Sequence, residues 1–297
     1  METFIDRLIQ HQTITPQRDM DVVFDIGALN GGYGAGVALY LRRMEMQKRV
    51  MVYRVSGCSI GAFLAAWYCS GCDEALFQHA EAMFLAYKRE ASLAAYETMM
   101  PAFVTAAFSS DDAVKALRGR LFINYYDTKK HRQITVTKFK SRQHLCECIL
   151  RSSHIPYVLN GQARRGKRYM DGMVPYIFSD NVRPCLFVDM LSFRKLWRVF
   201  ITRSEVTIYQ RLLVGIMDAH EFFVTQRSSD MCSWQANWPW WYRVILKSRL
   251  FGCLSVLYFC EWLLVIWKNV YGQRDVRLFY KYMAEVVHGV QHYLIQS

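Results

Sequence analysis

Val50-Met51-Val52-Tyr53-Arg54-Val55-Ser56-Gly57-Cys58-Ser59-Ile60-Gly61 is the stretch on which the reading of this chain turns. Val50 to Val55 is apolar and rich in β-branched residues, which predicts a strand, and the run Ala62 to Tyr68 after it predicts a helix. Between them Gly57 and Gly61 flank Ser59 at the spacing G-x-S-x-G. Two residues without a Cβ permit a strand-to-helix turn too tight for other side chains, and such a turn holds the serine oxygen out at the end of a sheet, ready to attack a carbonyl. An ordinary turn carries the same pattern by chance, so its neighbours decide the reading.

Upstream, Asp21-Val22-Val23-Phe24-Asp25 predicts a short buried strand, and the glycine-rich Gly27 to Gly36 leads into a helix through Val37 to Leu41. Strand, glycine loop, helix, then strand, elbow, helix indicates parallel strands joined by crossovers, hence an α/β sheet. The glycine loop admits three readings. A dinucleotide loop fails on spacing, because Gly32, Gly34 and Gly36 give G-x-G-x-G instead of G-x-G-x-x-G. An oxyanion loop, exposing backbone N–H groups at a helix start, and a helix packed closely through its glycines both stay open.

Downstream, Glu74 to Met99 is helical in composition with Pro101 as an interruption, and Asp111-Asp112 opens a further helix through Leu117. Gln133 to Thr137 alternates as a strand, Leu145 to Arg151 reads as a short helix, and Tyr169-Met170 and Cys185 to Val188 as strands. Asp171-Gly172 stands at a strand end. Alone it is a common turn, but after a glycine loop and a serine elbow it completes a set of donors, nucleophile and base.

In that order the motifs resemble the patatin-like phospholipase family. Phe24-Asp25-Ile26-Gly27-Ala28-Leu29-Asn30-Gly31 looks like its glycine-rich oxyanion motif, Gly57 to Gly61 like its G-x-S-x-G, and Asp171-Gly172 like its D-G-[GA]. Ser152-Ser153-His154-Ile155-Pro156-Tyr157 resembles the Ser/Ala-rich stretch and proline that precede the family's aspartate, so the likeness covers roughly residues 20 to 180. The resemblance implies a three-layer α/β/α fold with a mostly parallel central sheet. It implies a serine lipolytic acyl hydrolase working through a Ser-Asp dyad, with Ser59 as nucleophile and Asp171 as proton acceptor. The N–H groups of Gly27 and Ala28 would form the oxyanion hole, and Gly31, Gly57, Gly61 and Gly172 would be the motif glycines. No cofactor or metal is implied. The chain departs from the family pattern at Ile26 and Ala28, where glycine is usual, at Asn30, often basic, and at Met173, usually small. These departures support an alternative, a membrane-bound interaction protein that keeps the fold without turnover.

An ordinary α/β-hydrolase would place a histidine after the acid, with His220, His288 and His292 as nominees, but each reads better as a helix residue. Cys58 at the second elbow position and His154 read as core packing and a turn residue. The nine cysteines are spread through apolar segments, and neither the Cys69/Cys72 pair nor Cys146 and Cys148 has a second pair at metal-ligand spacing. Free thiols and a start without a secretory signal core indicate the cytosol. The net charge of +12 suits an anionic surface, but no nucleic-acid-binding signature accompanies it.

The remaining signal lies in the C-terminal third. Leu250 to Trp267 is a nearly continuous apolar run of borderline length for a bilayer, with Glu261 near its centre. Trp234, Trp238, Trp240, Trp241 and Tyr242 precede it, with Arg243, Lys247 and Arg249, and suit a lipid interface. The expected organisation is a helical segment over 1–19, a patatin-like unit over 20–215, and a Trp-rich helical region over 216–297. The expected partner is a lipid substrate at a membrane or lipid-droplet surface, docked from the cytoplasmic side through 234–268.

Overall fold

A computed structural model describes residues 1–10, 18–90, 93–192 and 207–271. Its centre is a seven-stranded sheet of β1 (Arg18–Phe24), β2 (Val50–Cys58), β3 (Leu121–Asp127), β4 (Arg132–Val136), β5 (Tyr169–Asp171), β6 (Cys185–Val188) and β7 (Cys232–Trp234), ordered β4-β3-β2-β1-β6-β7 with β5 also on β3. β3, β2, β1 and β6 run parallel, while β4, β5 and β7 are antiparallel additions. The mostly parallel sheet expected from the sequence is therefore present. β3 is not among the strands read from the sequence, yet it is the strand on which both β2 and β5 align.

Alternation along the strands assigns each face its cover. Val22, Phe24, Leu186 and Val188 point into the larger core, under α1 (Glu2–Gln10), α2 (Gly31–Met46), α3 (Ile60–Ser70), α5 (Ala94–Ala107), α7 (Arg142–Ser152) and α8 (Tyr209–Thr225). α4 (Asp73–Glu90) packs at its edge, and a short α6 (Asp111–Lys115) is capped by the Ser110 hydroxyl. Val23, Cys185 and Phe187 point the other way, where Leu246 of the long α9 (Trp240–Tyr271) covers them. Leu257 and Cys260 of the same helix cover Tyr126 and Met170. The sheet thus lies between helices on both faces, as the three-layer expectation requires.

Three expectations are corrected. Gly32, Gly34 and Gly36 do not form a loop, because α2 already starts at Gly31. A Cβ on Gly36 would lie 2.1 Å from the Leu212 carbonyl oxygen of α8, so the close-packing reading of these glycines is the right one there. Pro101 does not end its helix: it sits inside α5 on the exposed side, where water can satisfy the carbonyl that its missing N–H releases. Trp234 and Trp238 pack inward, the first buried in β7 and the second half-buried and edge-on to Phe187 at 4.7 Å. An aromatic side chain with one N–H suits a core as well as an interface, and the Trp238 indole donates to Ser233 Oγ at 3.0 Å.

Among the described residues no helix is long and apolar enough to cross a bilayer. Glu261 receives the Arg164 guanidinium, Nη2 to Oε2 at 2.9 Å, so the carboxylate that interrupts the apolar run is paired with the α/β unit. The boundary expected at residue 215 falls inside α8, which runs unbroken from Tyr209 to Thr225.

Candidate active site

The sheet register brings the two expected side chains together. β2 pairs with β3 up to Cys58 opposite Asn124, then leaves the sheet at Ser59. The next position of β3, Tyr125, pairs with Asp171 of β5. Asp171 therefore occupies the line that β2 would have continued along, directly beside the residue where β2 turns away.

The turn needs both glycines. A Cβ on Gly57 would stand 2.0 Å from the Gly61 carbonyl oxygen, and one on Gly61 would stand 2.4 Å from the carbonyl oxygens of Phe24 and Asp25. Ser59 itself has φ 58° and ψ −131°, a conformation that costs a non-glycine residue about 1–3 kcal/mol. The surroundings hold it there. Its N–H donates to Ser152 Oγ at 2.9 Å, Ser152 Oγ donates to the Asn124 carbonyl at 2.6 Å, and Ser153 Oγ donates to the Ser59 carbonyl at 3.1 Å. Tyr96 in turn meets Ser153 Oγ at 3.0 Å. Ser152 and Ser153 entered the sequence reading only through the likeness of their stretch; the structure makes them the braces of the elbow.

Asp171 is 1% exposed and Ser59 4%. The Asp171 N–H donates to the His154 carbonyl at 2.8 Å, which is how the buried His154 bears on the site. Burial disfavours the charged carboxylate and pushes its pKa up to about 6, opposed by the neighbouring Ser59 side chain and by hydrogen bonds from the Met173 N–H and Cys58. The Met173 bond is 2.8 Å and the Cys58 Sγ contact 3.4 Å, both to Oδ1. Burial and the neighbouring Asp171 push the Cys58 thiol far above its ordinary pKa, so it stays a protonated donor to the acid. Gly172 packs against that thiol, where a Cβ would stand 3.1 Å from the sulfur.

Gly27 and Ala28 lie between β1 and α2, beside the elbow. A Cβ on Gly27 would meet Ile60 Cγ2 at 3.2 Å, and one on Gly31 would meet Ile60 Cγ1 at 2.6 Å, so the loop is pressed against the start of α3. Among the described hydrogen bonds, neither the Gly27 nor the Ala28 N–H goes to another backbone group. Ala28 has φ 46° and Met173 φ 58°. Both departures from glycine-type positions therefore sit in left-handed backbone, at about 1–2 kcal/mol each.

Arg211 of α8 lies beside this loop and carries no motif of its own. Its side chain is 1% exposed, and Nη1 donates to the Leu29 carbonyl at 2.9 Å and to Asn30 Oδ1 at 2.8 Å. Asn30 passes the constraint on, donating from Nδ2 to the Met190 carbonyl at 2.8 Å. A guanidinium from another helix thus bonds to the side chain of Asn30, the position at which the family pattern often has a basic residue.

Ser59 opens on an apolar cavity walled by Phe63 and Leu64 of α3, Leu76 and Phe84 of α4, and Leu212 of α8. No histidine lines it among the described residues. His220 meets Tyr40 OH at 3.3 Å on α8, and His288 and His292 lie outside the described residues. An elbow serine set beside a buried carboxylate, at a helix start and a hydrocarbon-lined cavity, is equipped for acyl transfer from an apolar ester. A search of curated proteins finds no match to the chain. A family model described as patatin-like phospholipase matches residues 22–182, more than half of the chain, including the loop at Gly27 and Ala28, Ser59 and Asp171. The chain belongs to the patatin-like phospholipase family, whose members are lipid acyl hydrolases.

Proposed function

We propose that the protein cleaves fatty-acyl esters of phospholipids or neutral glycerolipids through Ser59 and Asp171. The observation that carries this reading is the sheet register that sets the buried Asp171 beside Ser59, where the elbow opens on the apolar cavity. Asp171 accepts the Ser59 proton as the hydroxyl oxygen attacks the ester carbonyl, and the N–H groups of Gly27 and Ala28 receive the oxyanion. The N-terminus of α3, which begins at Ile60, adds its positive dipole end to that position. Asp171 then returns the proton to the departing alcohol, forming an acyl-serine. A water deprotonated by the same carboxylate attacks the acyl-serine and releases the fatty acid. A carboxylate with a pKa near 6 is a better base than an ordinary aspartate and is still ionised at neutral pH. The test is labelling with a fluorophosphonate, which phosphonylates an activated serine. Wild type is expected to label and Ser59→Ala is not; an unlabelled wild type, or equal lipid hydrolysis by Ser59→Ala, would remove the assignment.

The membrane reading has its own support. The side of α9 turned away from the sheet carries Trp241, Val244, Phe251, Phe259 and Trp262 at helical spacing, with Phe251 74% exposed, and Trp240 stands exposed at its start. Such a stripe beside Arg243 and Lys247 matches the chemistry of an interfacial helix on anionic lipid. Co-sedimentation with anionic liposomes is expected for the wild type and is expected to drop severalfold in Phe251→Ser/Trp262→Ser. Retention of the wild type in the supernatant would end this reading.

A further inference from the structure

A second cleft lies on the other side of the site. Its walls come from Ile26, next to the oxyanion glycine Gly27, from Met173, two residues beyond Asp171, from Ile155 and Pro156, and from Gly252 and Val256 of α9. Ile155 also lines the cavity in front of Ser59, so the two spaces adjoin at one side chain. We propose that this cleft receives the second hydrocarbon chain of a two-chain lipid whose first, ester-linked chain lies in the cavity at Ser59; the assignment of the first chain rests on the function proposed above.

Four observations carry the proposal. The cleft is hydrocarbon in character, and Arg249, the one cation that lines it among the described residues, is turned to Asp25 at 2.5 Å, which compensates its charge. Two of the departures from the family pattern, Ile26 and Met173, put apolar bulk on this wall where glycine or a small residue is usual. Gly252 does the reverse on the facing wall. A glycine inside a helix is unfavourable relative to alanine, and at Gly36 close backbone packing explains it. At Gly252 an added Cβ would meet nothing within 4 Å, so packing does not require the missing side chain, and its absence leaves the cleft open. Lastly, Val256 is itself exposed, and Gly252 and Val256 adjoin the exposed apolar stripe of α9 around the helix, so the cleft opens beside the surface read as facing lipid. A lipid with one chain would leave this apolar surface against water, whereas a second chain would cover it.

The decisive experiment uses a glycerol diether, 1,2-di-O-hexadecylglycerol with a terminal diazirine on one chain, which cannot be hydrolysed and therefore reports occupancy independently of turnover. After irradiation, labelled residues are mapped by mass spectrometry. Label is expected on Met173 and Pro156, which lie off the exposed stripe of α9, as well as on the walls of the Ser59 cavity. Gly252→Leu is expected to lower the Met173 label severalfold, while Ser255→Leu, which adds the same bulk to the same helix outside the cleft, is expected to leave it unchanged. In the kinetic arm, dihexanoylglycerol is expected to show a KM about tenfold or more below that of monohexanoylglycerol. Gly252→Leu is expected to bring the two values together, and Ser255→Leu to keep them apart. Label confined to the Ser59 cavity and the outer stripe, or equal KM values in wild type, overturns the proposal. Label on Met173 without any ester hydrolysis sustains the lipid cleft and overturns the hydrolase reading.

Discussion

Replacing Asp171 by asparagine is expected to abolish most turnover while making the folded protein more stable at pH 8. The first effect follows, in the mechanism proposed above, from removal of the proton acceptor. Asparagine keeps an oxygen for the Met173 N–H but cannot take the serine proton, and losses on the order of 10³–10⁴-fold in kcat are typical when a base is neutralised in place. The second effect follows from burial. The Asp171 pKa is raised to about 6 in the folded state, above the ordinary carboxylate value of 3.8. Below that ordinary value the acid is protonated in folded and unfolded chains alike, and it costs nothing. As pH rises towards 6 the unfolded chain ionises first, so stability falls through this window and stays reduced above it. The full cost is about 3 kcal/mol, from about 1.4 kcal/mol per unit of pKa. Asparagine removes this titration, so the stability gain of Asp171→Asn should be largest above pH 6 and vanish near pH 4. The wild-type rate should rise with pH to a plateau with an apparent pKa near 6, because the dyad needs the ionised form. Denaturant unfolding of both proteins across this range, beside a pH–rate profile, checks both signs. Equal stabilities at pH 8, or a wild-type rate independent of pH between 5 and 7, would contradict the burial argument.

The parts of the site that were legible in the sequence are those that local chemistry demands. Gly57 and Gly61 could be read because no Cβ fits there, and Asp171-Gly172 because a base at a strand end needs a tight turn after it. The register that joins them was not legible. It runs through β3, Leu121-Phe122-Ile123-Asn124-Tyr125-Tyr126-Asp127, whose polar Asn124 interrupts the apolar run. The Asn124 amide donates to the Val174 carbonyl at 2.9 Å and Gln133 Oε1 at 3.2 Å and accepts from Thr135 Oγ1 at 2.6 Å, while its carbonyl accepts from Ser152 Oγ at 2.6 Å, all partners set by the fold. Gly36 needed α8 before its purpose could be seen, since the contact that excludes a Cβ lies far along the chain. Glu261 read as a penalty within an apolar run because Arg164 stands 97 residues away. Trp238 is chemically as fit for a lipid interface as for the ring of Phe187, and only the fold separates the two. Periodicity and motif spacing carry local demands; partners set by tertiary contact leave no mark at the position that depends on them.

Arg211 is the strongest case, and Arg211→Met is expected to lower kcat on the order of a hundredfold with little change in KM. Arg211 touches neither Ser59 nor Asp171 among the described contacts, so its effect must pass through the loop that it holds. Its guanidinium ties the Leu29 carbonyl and Asn30 Oδ1, and Asn30 ties the Met190 carbonyl, which fixes the turn carrying the Gly27 and Ala28 N–H groups. Ala28 sits in a left-handed conformation that isolated alanine avoids, so without an external restraint the turn would relax and its donors would swing away. Loss of one well-placed oxyanion donor costs about 10²–10³ in kcat, which sets the scale. The substitution also leaves the buried Asn30 Oδ1 and the half-buried Leu29 carbonyl short of a donor, so a destabilisation of about 1–3 kcal/mol should accompany it. A purely structural role is separated from this positioning role by rescue. Asn30→Lys in the Arg211→Met background returns a basic residue to the place where the family pattern often has one, within the volume that the guanidinium vacates. It is expected to restore about tenfold of the lost kcat and the rate of fluorophosphonate labelling, while the pH–rate profile governed by Asp171 stays in place throughout. Unchanged kcat in Arg211→Met, or recovery of stability without recovery of labelling rate in the double variant, would show that the guanidinium supports only the fold. The family's basic residue and Arg211 would then be unrelated solutions, and the oxyanion loop would owe its shape to Gly27 and Ile60 alone.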